Sequence, residues 1–202
     1  MDISLSLVSH TNAGKTTLAR TLLGKEVGIV RDESHVTEVA ESHEMVRSAE
    51  GDVLTLWDTP GFGDSMRLAK RLAKSESPLN WMVEQVWDRL RDRPLYSSQQ
   101  ALRNVREHAD LVLYLVNASE DPDSAGYVAP EMSVLTWTGK PVVALLNQMG
   151  PPRTHEQEHH ELDQWRQRFA EYDAVKEVMA LDAFARCWVQ ERVFLGALTP
   201  LL

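Results

Sequence analysis

Continuous apolar runs alternate along this chain with segments whose apolar residues recur at helical spacing. The runs ADLVLYLV at 109–116 and PVVALL at 141–146 are typical of parallel strands that are covered on both faces. A turn at 50–52 (EGD) predicts a hairpin. Further strands are predicted at 3–8, 44–49, 53–57 and 175–181, and helices at 18–23 and 185–198. The alternation predicts an α/β domain built in layers.

The segment between Gly61 and Asp110 is too long to be a simple connection between two elements. We predict at least two helices in it, separated near Pro94, and a helical insertion at about 66–106. Apolar residues that recur at helical spacing within it, and that are expected to pack in the core or at an interface, are Trp81, Val83, Val86, Trp87 and Leu90.

The last predicted helix carries an apolar stripe that we expect to face the core. The stripe consists of Trp188, Val189, Val193, Phe194 and Leu198. The chain then ends on LGALTPLL, an apolar stretch that indicates the N-terminal part of a longer protein. With 202 residues, we expect one domain, 1–202, around one sizeable core.

Composition narrows the class of protein. The formal net charge of -9 argues against a general nucleic-acid binder, which would need a basic face. The single cysteine, Cys187, cannot form an internal disulfide, which favours a reducing compartment. There is no signal-peptide pattern and no apolar run of about twenty residues. We therefore expect a cytoplasmic protein, with peripheral association at a membrane left open.

The stretch SHTNAGKTTLAR, residues 9–20, matches the phosphate-binding loop G-x-x-x-x-G-K-[ST] except for Ser9 at the first position. Gly14 would let the backbone approach the phosphates, Lys15 would supply a point charge, and the Thr16 hydroxyl would bind Mg²⁺. The helix that follows would direct its N-terminus at the anion. The nucleotide-binding residues predicted in this loop are Asn12, Ala13, Gly14, Lys15, Thr16 and Thr17.

A second motif, WDTPG at 57–61, follows directly on an apolar strand. Asp58 would hold a magnesium-bound water, and the Gly61 amide would bind a γ-phosphate. Alone, this tetrapeptide would be an ordinary turn. Together with the loop at 9–16, in this order and at this separation, it predicts a magnesium-dependent nucleoside triphosphate site.

The two motifs NAGKTTL and DTPG resemble those of the translation-factor-related GTPases, in particular the bacterial Era/TrmE-like branch. The spacing and the ending also resemble a bacterial group in which such a domain precedes a C-terminal domain of unknown function, which is absent here. The resemblance implies a Ras-like P-loop NTPase with a mostly parallel six-stranded sheet and helices on both faces. It also implies that GTP or GDP binds with Mg²⁺ at the carboxyl ends of the strands.

Two site residues are expected from this resemblance. Asn12 matches an asparagine that helps to ligate K⁺ in cation-activated members, and the alternative is that it only tolerates a left-handed backbone. Thr37 matches the switch threonine that closes over Mg²⁺, and the alternative is an ordinary loop threonine. The expected catalytic residues are therefore Lys15, Thr37 and Gly61, and the metal ligands are Thr16, Thr37 and Asp58, with Asn12 for K⁺.

The base-specifying motif departs from the family's N-K-x-D. Asn147 matches, but Gln148 and Gly150 replace the lysine and the aspartate. Without that aspartate, guanine must be selected by the backbone or by another carboxylate such as Asp182, whose alternative role is to cap the helix that follows. Binding of ATP, or of any purine nucleotide, stays open.

The second departure is catalytic. Phe62 stands where Ras-like members have a glutamine that orients water, so intrinsic hydrolysis should be slow. The sequence thus predicts a slow, magnesium-dependent GTPase switch. The alternatives are an unselective NTPase and a partner-binding module with vestigial nucleotide binding. A protein partner at the helical insertion and a nucleotide-dependent homodimer are further expectations.

Overall fold

The computed structural model describes residues 2–24, 40–74, 92–150, 153–181 and 188–202. Six strands form one sheet in the order β2-β3-β1-β4-β5-β6. The strands are β1 (Asp2–Ser9), β2 (Glu41–Arg47), β3 (Val53–Asp58), β4 (Leu111–Asn117), β5 (Val142–Asn147) and β6 (Val175–Ala180). The helices are α1 (Lys15–Leu23), α2 (Ser65–Lys74), α3 (Arg93–His108), α4 (Val128–Thr138), α5 (His155–Phe169) and α6 (Trp188–Leu198).

All neighbouring strands are parallel except β2, which runs antiparallel to β3. The turn between β2 and β3 contains Gly51 at φ 95°, so the predicted hairpin is confirmed. The strand predicted at 44–49 was misplaced, because β2 begins at Glu41 and ends at Arg47. Its side chains are mostly exposed and polar, so the strand has no apolar run to mark its start.

Two apolar cores lie on the two faces of the sheet, as the α/β prediction requires. Alternate residues of β4 divide between them, because successive side chains of a strand point to opposite faces. Leu113 packs in the core that contains α1 and α6, and Val112 packs in the core that contains α2 to α5. Burial on both faces explains why β4 reads as an uninterrupted apolar run.

The long connection after β3 contains α2 and α3. Asp92 caps α3 by accepting a hydrogen bond from the Leu95 N–H at 3.3 Å, and Pro94 occupies the first turn. The predicted division near Pro94 is confirmed. The apolar segment from Trp81 to Leu90 lies outside the described residues, as does Cys187.

The stripe predicted on the last helix is correct in part. Phe194 and Leu198, four residues apart, are each 1% exposed. Val193 is 57% exposed, so its assignment to the inner side was wrong, because adjacent residues on a helix point about 100° apart. The side chains of Trp188 and Val189 lie outside what the structure describes. No described helix has the length and apolarity required to span a bilayer.

Candidate nucleotide-binding site

The loop that joins β1 to α1 lies at the carboxyl end of β1, one of the two central strands of the sheet. Ser9 is still part of β1, where it pairs with Leu115 in extended conformation. A glycine is therefore not required at this position, which explains the departure from the motif. Further along the loop, Asn12 and Gly14 have left-handed backbones at φ 67° and 88°. This is the alternative role named for Asn12, and a bound cation is not needed to explain it.

Lys15 opens α1 and is 8% exposed. Its Nζ donates a hydrogen bond to Ser9 Oγ at 3.2 Å. Burial lowers the pKa of Lys15, whereas the charges of Asp58 and Glu131 oppose that change. An ammonium group held in this way suits a polyphosphate, which would neutralise it at short range.

Thr16 and Asp58 form the second part of the site. The Thr16 Oγ1 donates to Asp58 Oδ2 at 2.8 Å. The other carboxylate oxygen, Oδ1, is buried and has no hydrogen-bond partner among the described residues. Burial also raises the pKa of Asp58, which a nearby cation would reverse. A hydroxyl beside an unsatisfied carboxylate oxygen fits Mg²⁺, which prefers oxygen ligands. Thr37 lies outside the described residues.

The DTPG motif packs directly against the phosphate-binding loop. The Phe62 N–H donates to the Ser9 carbonyl at 2.9 Å, and Thr11 Oγ1 donates to the Phe62 carbonyl at 3.0 Å. A Cβ atom placed on Gly61 would lie 3.1 Å from Thr11 Cα and 3.2 Å from Lys15 Nζ. A side chain at position 61 would therefore crowd Thr11 and Lys15, so a glycine favours this close approach, and the structure brings the two predicted motifs together.

Phe62 points into the apolar core on the side of α2 and α3. It is fully buried and belongs to the cluster that contains Leu68, Leu95 and Leu102. The ring thus fills core volume instead of facing the nucleotide side of the loop.

Asn147 links the end of β5 to the phosphate-binding loop. Its Nδ2 donates to the Ala13 carbonyl at 2.9 Å, and a Cβ atom on Gly14 would lie 2.7 Å from the same nitrogen. Gln148 is left-handed at φ 59°, and its Nε2 lies 3.5 Å from that Cβ position. Gln148 therefore lies over the loop, close to Gly14.

The position of the missing aspartate is occupied by Gly150, at φ 79°. The nearest side-chain atom to a Cβ placed there is Arg153 Nη2, at 3.8 Å. That guanidinium donates to the Met149 carbonyl at 3.4 Å and to Glu161 Oε2 at 3.1 Å. This corner of the site thus holds an arginine paired with Glu161 where the motif would have an aspartate. Asp182 lies outside the described residues.

Sequence reasoning did not find a buried polar network next to the loop. Glu131 is fully buried in α4, where it accepts a hydrogen bond from the Tyr114 hydroxyl at 2.7 Å. The His10 Nδ1 lies 2.7 Å from Glu131 Oε1, and the His10 ring stacks on Tyr127 at 4.6 Å. The hydrogen bond from Glu131 raises the pKa of His10. The only signal in the sequence was a glutamate inside an apolar helix.

Comparison with known proteins agrees with this geometry. No curated protein sequence matches the chain. A variant of Era from Aquifex aeolicus, solved with GDP and AlF4⁻, has a TM-score of 0.66 and 18% identity, and the match covers 97% of this chain and 56% of that one. A probable GTP-binding protein, engB, has a TM-score of 0.57 and 16% identity, with 96% and 98% covered. At these identities the likeness concerns the fold, and this chain spans 56% of the length of Era.

The fold and the paired phosphate motifs define a P-loop GTPase domain. The family model for the 50S ribosome-binding GTPases matches residues 4–148, which is well over half of the 202 residues. The chain therefore belongs to that family of GTPases.

Proposed function

We propose that this protein is a magnesium-dependent molecular switch that binds GTP, hydrolyses it slowly and changes conformation between its GTP and GDP states. The observation that carries the proposal is the convergence of three groups at one loop: the buried Lys15 ammonium, the unsatisfied oxygen of Asp58 and the closely packed Gly61. Each group would meet a different part of a metal-bound triphosphate. The finer assignment, to the Era/TrmE-like branch, rests on NAGKTTL and DTPG.

The roles of the residues follow from their chemistry. Lys15 would pair with the β and γ oxygens, and the amides at the start of α1, including that of Thr17, would donate to the phosphates. Thr16 and Asp58 would hold Mg²⁺, directly and through water, with Thr37 as the third expected ligand. When bound, the metal neutralises charge on the phosphate oxygens.

The position of Phe62 supports slow hydrolysis. A fully buried phenyl ring neither orients a water molecule nor accepts a proton. The missing group would come from K⁺ at Asn12, from a protein partner, or from a second copy of the chain in a nucleotide-dependent homodimer. If K⁺ contributes, replacing it with Na⁺ and mutating Asn12→Ala should each lower turnover, and the two effects should not add.

Isothermal titration with GDP, a non-hydrolysable GTP analogue and ATP, each with and without Mg²⁺, tests the proposal. We expect binding of both guanine nucleotides, stronger with Mg²⁺ for the triphosphate. The variant Asp58→Asn should lose the Mg²⁺ dependence and retain GDP binding, with Asp163→Asn, an exposed aspartate on α5, as the control. Absence of binding by all three nucleotides would overturn the proposal.

A second candidate is an NTPase that accepts adenine as well as guanine. Gly150 and the neighbouring Arg153 favour it, because no carboxylate reads the purine edge at that position. It predicts similar affinities for ATP and GTP. The double variant Gln148→Lys with Gly150→Asp restores the usual motif and should then raise the affinity for GTP relative to that for ATP. A strong guanine preference in the unmodified protein would eliminate this candidate.

The setting of the switch is also part of the proposal. We place it in the cytoplasm, including peripheral sites at a membrane. A protein partner would dock on the predicted helical insertion at about 66–106. If Lys15→Ala left partner binding and activity unchanged, a binding module with vestigial nucleotide binding would become the better explanation.

A further inference from the structure

The N-terminal part of α3 holds the loop that follows DTPG by side-chain hydrogen bonds. Ser97 Oγ donates to the Gly61 carbonyl at 2.7 Å. Ser98 Oγ accepts from the Gly63 and Asp64 N–H groups, both at 3.0 Å. Ser97 is 7% exposed and Ser98 is fully buried, so water does not compete readily for these bonds.

Helix α3 is itself tied to the neighbouring helix. Arg67, near the start of α2, lies 2.6 Å from the Asp92 carboxylate that caps α3 and 3.2 Å from that of Asp64. Asp64 also accepts from the Arg67 N–H at 3.0 Å, which caps α2. The loop and the starts of both helices therefore form one connected unit.

Hydrogen bonds to described residues hold most of the backbone groups of this loop but not the Gly61 N–H. The Gly61 carbonyl, both backbone groups of Phe62 and the amides of Gly63 and Asp64 are all bonded, either to α3 or to the phosphate-binding loop. None of these bonds uses the Gly61 N–H. Gly61 is also the residue that packs closest to Lys15 Nζ.

We propose that Ser97 and Ser98 are positioning residues that hold the Gly61 N–H ready for a γ-phosphate and make α3 the element that reports the nucleotide state. This assignment rests on the proposed GTP switch and deepens it. A γ-phosphate that binds the Gly61 N–H would also shift the Gly61 carbonyl and the Ser97 hydroxyl bonded to it. After hydrolysis the loop would be released, and its hydrogen bonds to both serines would weaken. GDP lacks the γ-phosphate that Gly61 would bind, so mutation of the serines should leave the affinity for GDP nearly unchanged.

The difference between the two nucleotides provides the test. Affinities for GDP and for a non-hydrolysable GTP analogue are measured with Mg²⁺ for the wild type, Ser97→Ala, Ser98→Ala and the double variant. We expect each single substitution to lower the affinity for the analogue roughly tenfold, which corresponds to the loss of about one buried hydrogen bond. The affinity for GDP should fall less than about twofold. Ser124→Ala, which removes an exposed hydroxyl bonded to Asp121, is the matched control and should change neither affinity.

If the serines had a merely structural role, the substitutions would lower the affinities for both nucleotides equally. That result would overturn the assignment while leaving the GTP switch intact. Unchanged affinities in the double variant would do the same. A wild-type protein that binds neither nucleotide would overturn the switch and this assignment with it.

A second measurement avoids any folding defect of the variants. Hydrogen exchange of the wild-type amides at 61–64 and 93–98 is compared with GDP and with the GTP analogue bound. We expect the analogue to slow exchange of the Gly63 and Asp64 amides, because their acceptor Ser98 is then held in place. Equal exchange rates in the two states would overturn the proposal.

Discussion

The side-chain amide of Asn147 donates a hydrogen bond of 2.9 Å to the backbone carbonyl of Ala13. The donor stands at the end of β5 and the acceptor in the loop after β1, with β4 between these strands in the sheet. The shape of the phosphate-binding loop thus depends on a residue far along the chain, and this support exists whether or not the base-specifying motif is complete.

Asn147→Ala should therefore destabilise the protein by about 1–3 kcal/mol, because it leaves the buried Ala13 carbonyl without its partner. Urea unfolding measures this change. Asn117→Ala is the matched control, since Asn117 ends the adjacent parallel strand and its side chain bonds to two exposed neighbours, Ser119 and Glu120. Equal losses in the two variants would argue against a special role for Asn147.

Lys15→Met should separate stability from binding. Burial of the ammonium opposes folding. Without nucleotide, the free energy of unfolding of the variant should therefore be higher than that of the wild type by on the order of 1 kcal/mol. Its affinity for GTP should fall roughly 10–100-fold with the loss of a charge-assisted hydrogen bond. Urea unfolding and titration calorimetry check the two effects. A variant that is both less stable and equally able to bind would contradict this account.

His10 should make stability depend on pH. Its hydrogen bond to Glu131 raises its pKa, with Glu120 adding to this effect while burial and Lys15 oppose it. The stabilisation is therefore fully present below the ordinary histidine pKa of about 6.5 and is lost as pH rises through the higher pKa of the folded state. His10→Gln should cost more stability near about pH 5.5 than near about pH 8.5.

The same unfolding experiment in a Glu131→Gln background provides the control for His10. There the carboxylate that favours the protonated ring is absent, so the pH dependence of the His10→Gln effect should disappear. A dependence that persists would assign it to another group.

Phe62 should prove structural. Phe62→Ala should cost about 3–5 kcal/mol by opening a cavity in the core, and Phe62→Leu on the order of 1 kcal/mol. Phe62→Gln should also destabilise the protein, because it buries an amide, and should not speed GTP hydrolysis. Thermal unfolding and phosphate release measure these effects. A faster Phe62→Gln enzyme would show that the side chain at this position reaches the nucleotide.

The parts of this protein that could be predicted were those determined locally. Gly14, Lys15 and Thr16 form a recognisable loop because the backbone shape and the start of α1 depend on adjacent residues. The apolar runs of β4 and β5 marked their burial on both faces. In contrast, β2 was misplaced, since its register comes from pairing with β3 and not from its own composition.

The unpredicted features depend on contacts between distant segments. Glu131 gives no sign in the sequence that it meets His10, which lies 121 residues away. Ser97 and Ser98 look like ordinary helix residues until the fold brings them to the loop after DTPG, 34 to 36 residues earlier. Sequence patterns report neighbours along the chain, whereas these contacts are created by the tertiary packing.

The inward position of Phe62 has a consequence for how such a protein evolves. A side chain that fills the core is constrained by packing, so, under the proposed switch function, selection for a longer or shorter GTP-bound state has little freedom to act at residue 62. Substitutions that change the lifetime of the GTP-bound state would instead accumulate on surfaces where a catalytic group from outside the domain can bind. The stability of the domain and its rate of GTP hydrolysis would then depend on different residues and could evolve separately.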